Sequence, residues 1–160
     1  MKIDNNSNRN IEDILEMLQS FVPFAKKRLQ YNKEPSLVFE SDPENAKNTL
    51  GKTAYYEPGS QTITVFVDER HSKDILRSFS HELVHHTQNC DGQFDNMGSM
   101  EEGYAQTNDH LRKMEEDAYL RGNMCFRDWE DEYKQTNRAF ANFLNERREL
   151  LYNRLLTGIK

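Results

Sequence analysis

The hydrophobic period of this chain changes once, near residue 70, and that change sets its class. In residues 61–67, Ile63, Val65 and Val67 alternate with polar or outward positions, as on one face of a strand. From Ser72 onward, Ile75, Leu76, Phe79, Leu83 and Val84 recur at the spacing of a helix with one apolar side. A chain that holds both patterns is predicted to be α+β. Thr53-Ala54-Tyr55-Tyr56 is a second run of strand formers, and Pro58-Gly59-Ser60 after it is a turn signature. These two runs predict an antiparallel hairpin. Leu37-Val38-Phe39 adds a third short apolar run, so the expected sheet is small, about three-stranded and antiparallel.

Helices surround these strands. Ile11, Ile14, Leu15, Leu18, Phe21 and Val22 repeat at helical spacing until Pro23, which either interrupts that helix or begins a second one carrying Phe24, Ala25 and Leu29. Ser72 is the expected N-cap of the next helix, with Asp74 in its first turn, and that helix should run to about residue 89. Glycine, Asp and Asn residues then predict a loop over residues 90–101. A further helix is expected over residues 108–124, stopping near Gly122-Asn123, and a last one over residues 127–156. Residues 1–9 are polar and expected to fray. The whole, residues 1–160, reads as a single domain.

Composition excludes several classes. A formal charge of −6 argues against a nucleic-acid binder. The exception is local: residues 134–160 hold six Lys or Arg against two Glu, a solvated basic face or a docking surface. The longest apolar runs are only a few residues, such as Val65-Phe66-Val67, so no membrane-spanning helix is expected. No apolar segment follows Lys2, so no secretory signal is expected and the cytoplasm is the predicted compartment. Cys90 and Cys125 lack CxxC spacing and are expected as free thiols, with one pairing between them left open.

The chemistry lies in His81-Glu82-Leu83-Val84-His85. Residues i and i+4 project from one side of a helix. Two neutral imidazoles placed so can share one Zn²⁺, while the carboxylate beside the first is left to take a proton from a water on the metal. In a chain of this composition the pattern arises by chance on the order of 1% of the time. A catalytic zinc needs a third protein ligand and an open position. Three residues downstream qualify: Glu115, followed three residues later by the small Ala118; Glu102; and His110.

HExxH followed by Glu115-Glu116-Asp117-Ala118 resembles the gluzincin metallopeptidases, which hold zinc with two His and one Glu. More closely, residues 80–88, together with His110-Leu111-Arg112 and residues 118–123, resemble small zincin-like proteins encoded by bacteriophages. The resemblance covers roughly residues 50–132. It implies a minimal zincin-like core with an HExxH helix, a glutamate helix and a long C-terminal helix. It also implies His81, His85 and Glu115 as zinc ligands and Glu82 as general base. Two departures stand out. Many gluzincins have Asp four residues after the ligand glutamate, where this chain has Tyr119. Glu102-Gly103-Tyr104-Ala105 also looks like the ligand motif of other gluzincins.

The resemblance therefore implies a zinc metallopeptidase, a hydrolase acting on a protein or peptide, working in the host cell cytoplasm if phage-encoded. By fold analogy, the strand at 61–67 would be the edge to which an extended peptide adds. Tyr104, Tyr119 and His110 are candidates to stabilise an oxyanion, and His86 is expected as a supporting or surface group. Two other readings stand beside this one: a non-catalytic zincin-like binding or regulatory module, and a nucleic-acid-associated protease docking through the basic C-terminal helix. The length of that helix leaves room for a homodimer contact.

Overall fold

A computed structural model of the chain describes residues 1–95 and 104–158, with the side chains of 104–108 outside the description. The chain runs β1 (Ile3–Asn5), α1 (Glu12–Leu29), β2 (Ser36–Glu40), α2 (Pro43–Ala46), β3 (Ala54–Glu57), β4 (Thr62–Phe66), α3 (Ser72–Cys90) and α4 (Tyr104–Leu156). It is α+β, as the two hydrophobic periods require. Two compact units are formed, Met1–Arg127 and Asp128–Lys160.

The sheet differs from the expected three antiparallel strands. It has four, in the order β1-β2-β4-β3, and is mixed. β1 pairs parallel to β2 and β2 parallel to β4, and only the β3–β4 hairpin is antiparallel. The reason lies in the connections. Strands 1 and 2 are joined through α1, and strands 2 and 4 through α2 and β3. Each connection is long enough for the crossover that a parallel pair needs. β4 is thereby internal and β3 is an edge, which corrects the expectation that the 61–67 strand is the edge.

Residues 1–9 are also more ordered than their polarity suggested. Ile3 registers with Leu37 and Asn5 with Phe39. The Arg9 guanidinium then donates to the Val67 carbonyl (3.1 Å) and to Ser72 Oγ (2.9 Å). Ser72 also donates to Asp13, so it ties α1 to α3 rather than capping α3. The cap is His71, whose Nδ1 accepts from the Lys73 amide.

One face of the sheet carries Leu37, Phe39, Ile63 and Val65, all at most 1% exposed. α3 packs on β3 and β4 and beside α1. Its buried stripe is the predicted one, Ile75, Leu76, Phe79, Leu83 and Val84. Phe21 of α1 meets Phe79 edge-on, with ring centroids 5.9 Å apart. Pro23 neither stops α1 nor restarts it. The helix continues to Leu29 because Phe21, Ala25 and Leu29 stay on its buried side, which offsets the hydrogen bond a proline forgoes.

The expected break at Gly122-Asn123 is absent: α4 is one helix. Gly122 serves a close approach instead. A Cβ there would stand 2.8 Å from the Cα of His81, so only glycine lets the two backbones meet. Ser80 Oγ closes the contact by donating to the Gly122 carbonyl at 2.7 Å.

Candidate metal centre

α3 presents His81 and His85 one turn apart, with ring centroids 5.0 Å from one another. α4 supplies the third group. Met114 and Ala118 are buried, and Gly122 abuts His81, so the helix sits low enough over α3 for Glu115 to reach both rings. Its Oε2 lies 3.3 Å from His81 Nε2 and its Oε1 3.1 Å from His85 Nε2. One ligand atom from each of the three residues lies within 4.8 Å of the others. Glu115 is 64% exposed along its side chain while His85 is 10% exposed. The cluster therefore has a walled side and a side reached by solvent.

The tautomer of His85 follows from its neighbour. Its Nδ1 stands 2.9 Å from Gln88 Oε1. The Gln88 amide nitrogen donates to the Met114 carbonyl at 3.0 Å and to Asp117 Oδ2 at 2.9 Å. With both N–H groups spent on acceptors, the Gln88 oxygen faces His85 and accepts a hydrogen bond from Nδ1–H. The Nε2 lone pair is then free to point at Glu115, the arrangement a metal-binding imidazole needs. Asp117 is held in turn by Arg121 Nη1 at 3.0 Å.

Glu82 is buried, and its carboxyl is pushed up to about 7, first by burial and then by the charge of Glu115. Burial and the adjacent His85 both hold the His81 imidazole below its ordinary range, opposed by Glu115. Two neutral imidazoles and one carboxylate are a donor set of the kind zinc takes, and three protein ligands leave a position open. The residues present fit such an ion.

The other residues singled out in the sequence fall elsewhere. His110 donates from Nε2 to the Gln93 carbonyl at 2.9 Å and takes no part in the cluster. Glu102 and the side chain of Tyr104 lie outside the described residues. Tyr119, at the position where many gluzincins have Asp, is 69% exposed. His86 is no surface group. It is fully buried, donating from Nε2 to the Lys33 carbonyl at 2.7 Å while Nδ1 meets the Tyr56 hydroxyl at 2.9 Å. Asn89 donates to that hydroxyl at 2.8 Å and to the Pro58 carbonyl at 3.1 Å, so α3 pins the β3–β4 hairpin.

Gln88, Asp117 and Arg121 were not anticipated as a supporting network. The signal was present in part, since Gln88 is three residues after His85 and must share its side of the helix. No protein family, curated protein or solved structure matches the chain.

Proposed function

We propose that this protein is a zinc-dependent peptidase that hydrolyses a protein or peptide substrate. The observation that carries the reading is the convergence of His81, His85 and Glu115 beside a buried Glu82, with His85 held in its metal-binding tautomer by Gln88.

His81, His85 and Glu115 would hold the ion. When bound, a divalent zinc supplies Lewis-acid polarisation of the substrate carbonyl and acidifies a nearby water. The chain's own residues do the rest. Glu82 takes a proton from the attacking water as the new C–O bond forms. It then returns that proton to the departing amine as the C–N bond breaks. A carboxyl pushed toward neutrality by burial suits both halves of this exchange. The Gln88–Asp117–Arg121 chain fixes one histidine ring so that geometry is not lost during turnover. β3, as an edge strand, has a side on which an extended peptide can add. Cys90 and Cys125 form no disulfide, and no helix among the described residues is long and apolar enough to cross a membrane.

The test pairs metal content with turnover. The purified chain should bind one zinc, and a library of unfolded peptides should be cleaved. Glu82→Gln should keep the zinc and lower cleavage by about 10²–10⁴. A chain without stoichiometric zinc removes the reading. Zinc binding with no cleavage by the parent chain points instead to the binding or regulatory module.

A further inference from the structure

A second set of bonds on α3 serves no metal ligand. His86 Nε2 donates to the Lys33 carbonyl at 2.7 Å. In a neutral imidazole the other nitrogen is then an acceptor, so the Tyr56 hydroxyl donates to His86 Nδ1 at 2.9 Å. The hydroxyl oxygen in turn accepts from Asn89 Nδ2 at 2.8 Å. The Tyr56 ring stands edge-on to the His86 ring, with centroids 5.6 Å apart. One hydroxyl is thus fixed, as donor and as acceptor, by two residues of the helix that carries His81 and His85. Tyr55, the residue before it, turns to the other face of the sheet, with its ring 6.1 Å from that of Phe66, and is 43% exposed.

The strand register shows what this clamp holds still. The Thr53 carbonyl accepts from the Phe66 amide at 3.0 Å, so Thr53 is bonded toward β4. Alternation along an antiparallel pair then bonds Tyr55 to Thr64 and Glu57 to Thr62. The backbone N–H and C=O of Ala54 and Tyr56 point the other way, to the outer edge of the sheet. Tyr56 therefore has its backbone on the open edge and its side chain locked to the helix that bears the ligands. A strand of four residues with a neighbour on one side only is otherwise easily displaced.

We propose that Tyr56 is a substrate-positioning residue: its hydroxyl, clamped between His86 and Asn89, holds the outer edge of β3 in a fixed place relative to His81 and His85, and its backbone N–H and C=O, with those of Ala54, bond an extended peptide. This rests on the peptidase reading and adds the groups that take the substrate. A peptide strand on this edge is bonded at every second residue, because only alternate N–H and C=O groups of a strand face one neighbour. Tyr56 supplies no ligand atom to the His81, His85 and Glu115 cluster, so loss of its hydroxyl should spare the ion.

The probe is a fluorescent decapeptide that the parent chain cleaves. Its affinity is read by anisotropy on the zinc-loaded Glu82→Gln chain, which measures binding without turnover. N-methylation of the peptide at successive residues should alternate in effect, with binding about tenfold weaker at two positions two apart and little changed between them. Tyr56→Phe on the same background keeps the ring. It should weaken the peptide about tenfold and leave zinc affinity within about twofold. Tyr55→Phe, on the opposite face, should change neither. Asn89→Ala, which frees the same hydroxyl and the Pro58 carbonyl, repeats the test should Tyr56→Phe not fold. Peptide binding untouched by loss of the clamp, or an N-methyl scan without a two-residue period, overturns the proposal and leaves the peptidase reading standing. Equal weakening of zinc and peptide assigns the clamp to stability alone and overturns it too. A parent chain that cleaves no peptide removes the reading and the proposal together.

Discussion

Gln88 Oε1 accepts a hydrogen bond from His85 Nδ1–H at 2.9 Å, and Gln88 cannot turn its amide around without giving up both of its own donors. The residue is fully buried, so no solvent replaces what it supplies. Gln88→Met keeps the volume and removes the acceptor. His85 is then free to place its proton on either nitrogen. Zinc affinity should fall by about 10–100-fold, the usual scale for losing such a supporting contact. Competition against a chromophoric chelator measures this. An unchanged affinity would show that His85 is oriented by packing alone.

The contact of Gly122 with His81 predicts a different loss. Alanine at 122 would press its Cβ to 2.8 Å from the His81 Cα, a backbone atom that cannot rotate away. The two helices must separate, and overpacking of this kind costs about 1–3 kcal/mol. Gly122→Ala should therefore lower the urea midpoint and, because α4 carries Glu115, weaken zinc binding as well. Ser80→Ala, which only removes the hydrogen bond to the Gly122 carbonyl, should cost less, about 0.5–1.5 kcal/mol. Equal stability of parent and Gly122→Ala in urea denaturation would refute the close approach.

The third ligand is tested by comparing Glu115 with His110. Glu115 is exposed enough that its removal leaves no cavity, yet both imidazole Nε2 atoms face it. Glu115→Ala should leave the melting temperature of the metal-free chain nearly unchanged and cut zinc affinity at least about 100-fold, more than the loss of a supporting residue. His110, occupied by the Gln93 carbonyl, should tolerate His110→Ala with no loss of zinc. The reverse ranking of the two variants by calorimetry would reassign the ligand.

How far the chain could be read in advance depended on whether a feature was periodic. The α3 stripe, the β3–β4 hairpin and the i, i+4 pair of His81 and His85 are local repeats, and local repeats are visible in one dimension. Strand direction was not. Parallel pairing of β2 with β4 depends on where the segment between them travels, and the alternation of Ile63 and Val65 is the same for either direction. Gly122 misled for a related reason. A glycine that ends a helix and one that admits a neighbouring backbone look alike in sequence, and only the partner, His81, tells them apart. Likewise β1 is held by Leu37 and Phe39 far along the chain, so its own polarity was a poor guide. Glu115 was reachable because Ala118 marks a buried side of the helix. The bond from Gln88 to Asp117 joins two helices, and no spacing rule reports it.

Because His81 and His85 come from α3 and Glu115 from α4, an ion held by all three ties two successive helices together. Such an ion binds the folded chain and not the unfolded one, so it adds stability by mass action: about 2.7 kcal/mol when free metal is 100 times the dissociation constant. For a chain of this length that corresponds to a rise in melting temperature of roughly 5–10 °C. Zinc in excess should produce this rise, and a chelator should reverse it. Magnesium should not, because imidazole nitrogen is a poor ligand for it. Glu115→Ala should flatten most of the response without lowering the metal-free melting point. A melting shift in Glu115→Ala as large as in the parent would mean that the ion is held within α3 alone, and the link between the two helices would be wrong.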